Sequence, residues 1–167
     1  MNAAPSILVG TADRVVWVRV EGKGSFLNST GLKEFAKEMT NRGYREFVVD
    51  LHNCPLMDST FMGTLTGVAL RLREIGQGGL RVVNLNERNR DLLTNLGLDQ
   101  LIALDVPPDG RAEPRANQPL PTDPVDKHAR AETMLEAHND LVAANPTNKA
   151  KFKDVLEYLR QDLQVSH

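Results

Sequence analysis

The most regular pattern of apolar and polar positions lies between Phe47 and Ile75. The short run FVVDL is rich in β-branched residues and predicts a strand that is covered on both faces of a sheet. Pro55 cannot donate a hydrogen bond to a sheet, so the strand ends before it. After Thr60, apolar residues recur at three- and four-residue spacing and predict one face of a helix: Met62, Leu65, Ala69, Leu72 and Ile75.

Similar patterns predict two strands and a helix earlier in the chain. Residues 7–9 and 15–20 are apolar, and the short polar link between them favours an antiparallel hairpin. A first helix is expected over about residues 31–42, with Gly43 as its C-terminal stop. Three polar residues just before this helix are candidate N-caps: Asn28, Ser29 and Thr30.

The alternation of strands and helices continues after Gly79. Residues 80–85 predict a strand, Asn86 can cap a helix that ends at Gly97, and residues 101–104 predict a last short strand. Strands that alternate with helices through short links are typical of an α/β fold with a largely parallel sheet. The antiparallel hairpin at the start makes the predicted sheet mixed.

The last third of the chain has a different pattern. Six of the nine prolines lie in residues 106–126, which predicts an extended, semi-rigid linker between a domain at 1–105 and an extension at 127–167. Residues 127–144 and 148–163 have helical periodicity and predict an αα-hairpin. Such a pair is too small to be stable alone, so it must dock on its own domain or on a second copy. We expect a homodimer, because capping an adjacent surface does not need a long linker.

Composition and charge exclude several classes of function. A hydrophobic content of 41%, a charged content of 25% and a net charge of −2 fit a globular protein without the basic excess of a nucleic-acid-binding domain. No apolar run approaches the ~20 residues of a membrane span, and the N-terminus lacks a signal-peptide pattern. The single cysteine, Cys54, favours a cytoplasmic location and excludes a multi-cysteine zinc site. We expect no metal or other cofactor.

Candidate chemistry is concentrated at Asp58, Ser59 and Thr60, between the central strand and its helix. All three residue types cap helices well, and an N-terminal turn favours negative charge such as a phosphate. Ser59 is therefore either a cap or a switch site. His52, Asp58 and Ser59 could suggest a hydrolase, but the G-x-S-x-G pattern is missing, so we expect no enzyme. Gly63 and Gly67 lie four residues apart in the predicted helix after Thr60. Such a pair indicates either close packing of this helix on the sheet or a flat surface that a partner can approach.

Three segments, VVDL, MDSTFMG and LRVVNLNERNRDLLTNLGLDQLIAL, resemble the STAS domain over about residues 7–104. This is the fold of bacterial anti-sigma-factor antagonists and of the cytoplasmic tails of sulfate transporters. In the antagonists, a partner kinase phosphorylates the serine directly after the motif's aspartate, and the matching residue here is Ser59, after Asp58. Thr60 is a second, less favoured candidate. Many members have glycine two places after that serine, where this chain has Phe61.

The resemblance implies a cytoplasmic regulator that works by partner switching. Its partners would be an anti-sigma factor that is also a serine kinase and a PP2C-type phosphatase that resets the phosphorylated form. The alternative is a STAS scaffold or ligand-sensing module that does not switch. By analogy, the partner-binding surface lies around the starts of the first two predicted helices. It includes Ser25, Asn28, Ser29, Thr30, Asp58, Thr60, Phe61, Met62 and Gly63.

Overall fold

The computed structural model describes residues 6–105, 112–120 and 125–165. The strands are β1 (Ser6–Ala12), β2 (Val15–Glu21), β3 (Glu46–Asp50), β4 (Gly79–Val83), β5 (Ala103–Leu104) and β6 (Gln118–Pro119). The helices are α1 (Phe26–Asn41), α2 (Ser59–Ile75), α3 (Glu87–Asn95), α4 (Ala112–Arg115), α5 (Lys127–Ala144) and α6 (Asn148–Val165).

The six strands form one mixed sheet in the order β5-β4-β3-β2-β1-β6. The strands β2, β3, β4 and β5 are parallel to one another, and β1 is antiparallel to both of its neighbours. The predicted hairpin of β1 and β2 and the predicted mostly parallel α/β fold are therefore confirmed. The apolar side chains of β3 are buried on both faces of the sheet, as the run FVVDL predicted, because each face is covered by other residues of the chain.

The two faces of the sheet are covered by different helices. Val16, Val18 and Val49 point into the main core, which also contains buried residues of α1 and α2. Trp17 and Val48 alternate with them and so point to the opposite face, where they pack in a second cluster with Ala112 and Ala116. The short helix α4 and the residue after it thus shield the second face.

The prediction for the start of α1 was wrong. The helix begins at Phe26 rather than near residue 31, and its N-cap is Ser25. The side chain of Ser25 accepts a hydrogen bond from the Leu27 N–H at 3.2 Å, while the Asn28 side chain accepts one from the Ser25 N–H at 3.0 Å. These reciprocal bonds form a capping box, so the three expected caps at positions 28–30 lie inside the helix.

The described part of the proline-rich region is not simply extended. Residues 112–120 contain α4 and β6, and β6 pairs with the free edge of β1. The Leu120 N–H donates to the Ile7 carbonyl at 2.8 Å, which continues this attachment. The division of the chain at residues 105 and 126 stays a prediction.

The predicted αα-hairpin is confirmed, and we call α5 and α6 together the C-terminal hairpin. It packs on its own chain: α5 lies along α2 and contacts α1. Leu141 of α5 has no exposed surface and belongs to the main core. The apolar face that we expected to reach a second copy is thus occupied within one chain, and a homodimer through the hairpin stays a prediction.

Candidate functional site

The loops that follow β2 and β3 run side by side at the carboxyl edge of the sheet. Gly24 and Met57 form a parallel bridge between the two loops, and the Asp58 N–H donates to the Gly24 carbonyl at 2.8 Å. A side chain on Gly24 would collide with the ring of Phe61, whose Cδ1 lies 2.8 Å from the position of a Cβ atom. The absence of a side chain at Gly24 lets Phe61 fill this space, and the packing fixes the start of α2.

The carboxylate of Asp58 connects the N-termini of two helices. One oxygen accepts a hydrogen bond from the Phe61 N–H of α2 at 2.8 Å, and the other accepts one from the Phe26 N–H of α1 at 2.9 Å. Both N–H groups belong to first turns, which have no partner within their own helices. Asp58 is therefore the N-cap of α2 and also orients α1 beside it.

Ser59 is the first residue of α2, and its hydroxyl is hydrogen-bonded to a histidine of the C-terminal hairpin. The Ser59 Oγ atom lies 2.9 Å from Nε2 of His138. Nδ1 of that histidine lies 2.7 Å from the Met134 carbonyl, which can only accept, so Nδ1 carries a proton. In the neutral imidazole, Nε2 is then the acceptor and Ser59 donates to it.

The histidine that contacts Ser59 is enclosed by the hairpin. His138 is only 2% exposed, and its ring meets the Phe152 ring of α6 edge-to-face at a centroid distance of 5.1 Å. The serine itself is half-buried. His52, the other histidine that could serve as a base for Ser59, is exposed, and its backbone N–H donates to the Asp50 carboxylate at 2.9 Å.

The two glycines of α2 mark where α5 approaches most closely. A Cβ atom on Gly63 would collide with the backbone of Ala137, whose carbonyl carbon lies 2.6 Å from that position. A Cβ atom on Gly67 would lie 2.5 Å from Oδ2 of Asp140. Gly63 and Gly67 thus permit close packing, as one of our two interpretations proposed, but against α5 rather than against the sheet.

A second row of contacts joins α5 to α1. The hydroxyl groups of Thr30 and Thr133 are 3.0 Å apart, and Lys33 forms an ion pair with Glu136 at 3.1 Å. Nearer the N-terminus of α1, the guanidinium of Arg130 lies 5.5 Å from the ring centroid of Phe26. The hairpin therefore spans both helices whose N-termini meet at Asp58.

Most residues that the sequence suggested for partner binding have little exposed surface in this structure. Asp58, Ser59 and Thr30 are half-buried, and the others are buried: Ser25, Asn28, Ser29, Thr60, Phe61, Met62 and Gly63. Thr60 is 3% exposed, so of the two candidate hydroxyls Ser59 is the more accessible. Phe26 and Leu27, at the start of α1, are exposed apolar residues, at 37% and 62%.

The pairing of Ser59 with His138 resembles a nucleophile and its base, but among the described residues its surroundings differ from a hydrolytic triad in two respects. The third group is the Met134 carbonyl rather than a carboxylate, and the histidine ring is buried. Two clefts of about 460 and 790 Å³ border α1, and Ser59 lines neither of them. The smaller cleft lies between α1, α2 and α5.

Asp140 is a half-buried carboxyl group at the contact between α5 and α2. Burial, reinforced by the charge of Glu136 and opposed by Lys33, raises its pKa from 3.8 to about 6. Other charged groups line the cleft next to it, namely Glu34, Lys37, Arg71 and Glu74. Between pH 4 and 6 the folded protein therefore binds more protons at Asp140 than the unfolded chain does, so this group's contribution to stability decreases as the pH rises through that range.

Asp140→Asn is expected to make the hairpin more stable at pH 7, because the amide has no charge to desolvate. We expect a gain on the order of 1 kcal/mol, allowing for solvent screening at a half-buried site, that disappears below about pH 4. Hydrogen exchange of the α5 and α6 amides at several pH values measures it. The exposed Asp154 of α6 supplies the control, Asp154→Asn. Equal gains in both variants would show that burial of Asp140 is not the cause.

In residues 6–105, 112–120 and 125–165, no three His, Cys, Asp or Glu side chains are grouped so that they could hold a metal ion. Within the same residues, no helix has the length and apolar character needed to cross a membrane.

Comparison with known proteins places this arrangement in a family. An anti-sigma factor antagonist from Mycobacterium paratuberculosis has a TM-score of 0.55 and 20% identity, covering 65% of this chain and 93% of its own. The unphosphorylated form of the anti-sigma factor antagonist SpoIIAA has a TM-score of 0.54 and 14% identity, covering 60% and 89%. The phosphorylated form of SpoIIAA, a Bacillus cell fate determinant, has a TM-score of 0.52 and 14% identity, covering 60% and 92%.

These similarities, at low identity, show a shared fold. They cover about two thirds of the chain or less, so a large part of it has no counterpart in those matches. No curated protein matches the sequence. The STAS domain family matches residues 6–109, which include the strands β1–β5 together with Asp58 and Ser59. The chain therefore belongs to the STAS domain family.

Proposed function

We propose that this protein is a non-enzymatic anti-sigma-factor antagonist that binds an anti-sigma factor with serine kinase activity while Ser59 is unmodified. Phosphorylation of Ser59 by that kinase ends the complex, and a PP2C-type phosphatase restores it. The observation that carries the proposal is the position of Ser59 as the half-buried first residue of α2, directly after the cap Asp58. The fold shared with anti-sigma factor antagonists supports it.

The electrostatics of the site give the switch a physical basis. A phosphoryl group adds a charge of about −1.5 to −2, which the N-terminus of α2 tolerates because its unpaired N–H groups and dipole favour anions. The same charge would lie next to the Asp58 carboxylate and would be costly in an interface that fits a neutral hydroxyl. A loss of about 2.7 kcal/mol of binding free energy corresponds to a ~100-fold weaker complex.

Variants at Ser59 test this proposal. Ser59→Ala is expected to retain binding to the purified cognate anti-sigma factor in titration calorimetry, and Ser59→Asp is expected to weaken it by up to ~100-fold. Thr11→Asp is a matched control, since it adds the same charge at an exposed position on the opposite edge of the sheet. If Ser59→Asp and Ser59→Ala bind equally well, Ser59 is a structural residue. Mass spectrometry of protein from its own cells is an independent test, and a phosphoryl group localised to Ser59 is the expected result.

A further inference from the structure

We propose that the C-terminal hairpin is an intramolecular competitor of the partner. The hairpin occupies the surface of α1 and α2 around Ser59. A docked hairpin and a phosphorylated Ser59 therefore exclude each other. The part of this inference that concerns phosphorylation rests on the proposed function; occupation of the surface by the hairpin does not.

The first line of support is the direct contact with the switch residue. The Ser59 hydroxyl makes its hydrogen bond to His138, and that ring is buried between α2 and Phe152. An enzyme that transfers a phosphoryl group needs the hydroxyl free and in line with its donor. Docked α5 therefore blocks the reaction, and the hairpin must move away before Ser59 can react.

The second line of support is the fit between α5 and α2, which leaves no room for another group. The backbone of Ala137 approaches Gly63 so closely that even a methyl group would collide, and the Asp140 carboxylate fills the space over Gly67. Ala137 is 2% exposed. A partner that uses this surface of α2 cannot bind over the hairpin and has to displace it.

The third line of support is that the hairpin is attached at several points of the STAS domain. The Asn148 side chain donates to the Leu96 carbonyl of that domain at 3.0 Å and, within the hairpin, to the Leu141 carbonyl at 2.9 Å. Lys151 donates to the Asn95 carbonyl at 2.7 Å. With the contacts to Thr30 and Lys33 on α1, these bonds hold the hairpin over α2 from both sides.

Phosphorylation of Ser59 would act on the same contact. A phosphoserine has no hydroxyl hydrogen to donate to His138, and its three oxygens need space that the closely packed helices do not provide. Asp58 is already adjacent and negatively charged. The phosphorylated form is therefore expected to have its hairpin undocked.

Accessibility of position 59 in the full-length protein tests the competition without any kinase. The thiol introduced by Ser59→Cys is reacted with a small maleimide, and the chain without this substitution gives the background from the buried Cys54. Adding Ala137→Glu, which buries a charge against α2, is expected to raise the labelling rate about tenfold or more. Ala143→Glu makes the same change at an exposed position of the same helix and is expected to leave the rate unchanged.

The proposal would be overturned if Ser59→Cys is labelled at the same rate alone, with Ala137→Glu and with Ala143→Glu. The hairpin would then not limit access to position 59. If Ala137→Glu does not fold, His138→Ala replaces it, since this variant removes the buried ring that packs on Phe152 without adding a charge and is expected to raise the rate several-fold. A failure of this test leaves the proposed function standing. Conversely, a successful test with equal partner binding of Ser59→Ala and Ser59→Asp leaves the hairpin as a cover without a phosphorylation switch.

The effect of phosphate is tested on full-length protein that carries phosphoserine at position 59 from its synthesis. Hydrogen exchange is expected to become about tenfold faster or more in α5 and α6, while β1–β4 keep their protection. Unchanged or slower exchange in the hairpin would contradict the mutual exclusion of docking and phosphorylation.

Discussion

Phe61→Ala is expected to lower the free energy of unfolding by about 3–5 kcal/mol, because it deletes a fully buried ring and leaves a cavity. The ring fills the space over Gly24, where the loops after β2 and β3 meet. Denaturant unfolding measures the loss. Phe26→Ala is the matched control at a partly exposed ring and is expected to cost about 1 kcal/mol or less.

A second substitution shows whether the space over Gly24 is the cause. Gly24→Ala alone forces a methyl group against the Phe61 ring, but in the Phe61→Ala background the methyl group enters the cavity. The cost of Gly24→Ala is therefore expected to be smaller in the double variant, with a coupling of about 1 kcal/mol or more. Additive costs would mean that the two residues do not share one packing site.

Asp58→Ala is expected to cost about 2–4 kcal/mol, more than the ~1 kcal/mol of an ordinary N-cap, because two helices lose a charged acceptor at once. Asp58→Asn keeps one acceptor oxygen and is expected to lose about half as much. The comparison is Asp126→Ala, which removes the cap of α5 alone. Thermal or denaturant unfolding measures all three variants.

If Asp58 caps both helices, Asp58→Ala must destabilise the protein more than Asp58→Asn and more than Asp126→Ala. If Asp58→Ala costs no more than Asp126→Ala, the hydrogen bond to the Phe26 N–H contributes nothing to stability. If Asp58→Asn is as stable as the unmodified protein, charge and the second oxygen are both unimportant. Because Asp58→Ala is expected to loosen the start of α2, any effect of this variant on phosphorylation must be compared with its effect on stability.

Helices and strands whose apolar residues recur at a regular spacing could be predicted from the sequence. The structure places α5 at Lys127–Ala144, as predicted, and α6 begins at the predicted Asn148. Asn86 caps α3, and a cap at the start of α2 was expected among Asp58, Ser59 and Thr60. In these segments, apolar spacing and capping chemistry agree, so local information is sufficient.

The start of α1 and the strand β6 were not predicted, because their sequence signals are misleading or weak. Before α1, the polar residues at positions 28–30 looked like caps, but Ser29 is buried within the helix, where its hydroxyl donates to the Ser25 carbonyl at 2.7 Å. The strand β6 has only two residues, one of them a proline, so no alternating pattern could indicate it. Pro119 can lie there because β6 pairs only with β1 and is at the edge of the sheet.

The partner of Ser59 could not be found by spacing, because His138 is 79 positions away in the sequence. The available signal was a polar ring among the apolar positions of α5, between Met134 and Leu141. A buried histidine needs hydrogen-bond partners, so its place in that stripe indicated a polar contact on the opposing surface. Which surface the hairpin would cover depended on tertiary packing at Gly63 and Gly67.

The attachment of β6 to β1 determines how strongly the hairpin competes with other molecules. Only five residues, 121–125, separate Leu120, which is bonded to Ile7, from Asp126, which caps α5. A short tether of this kind gives the hairpin an effective concentration of roughly 1 mM at the surface of α2. A free protein present at about 1 μM must therefore bind that surface about a thousandfold more tightly than α5 does to occupy it half of the time.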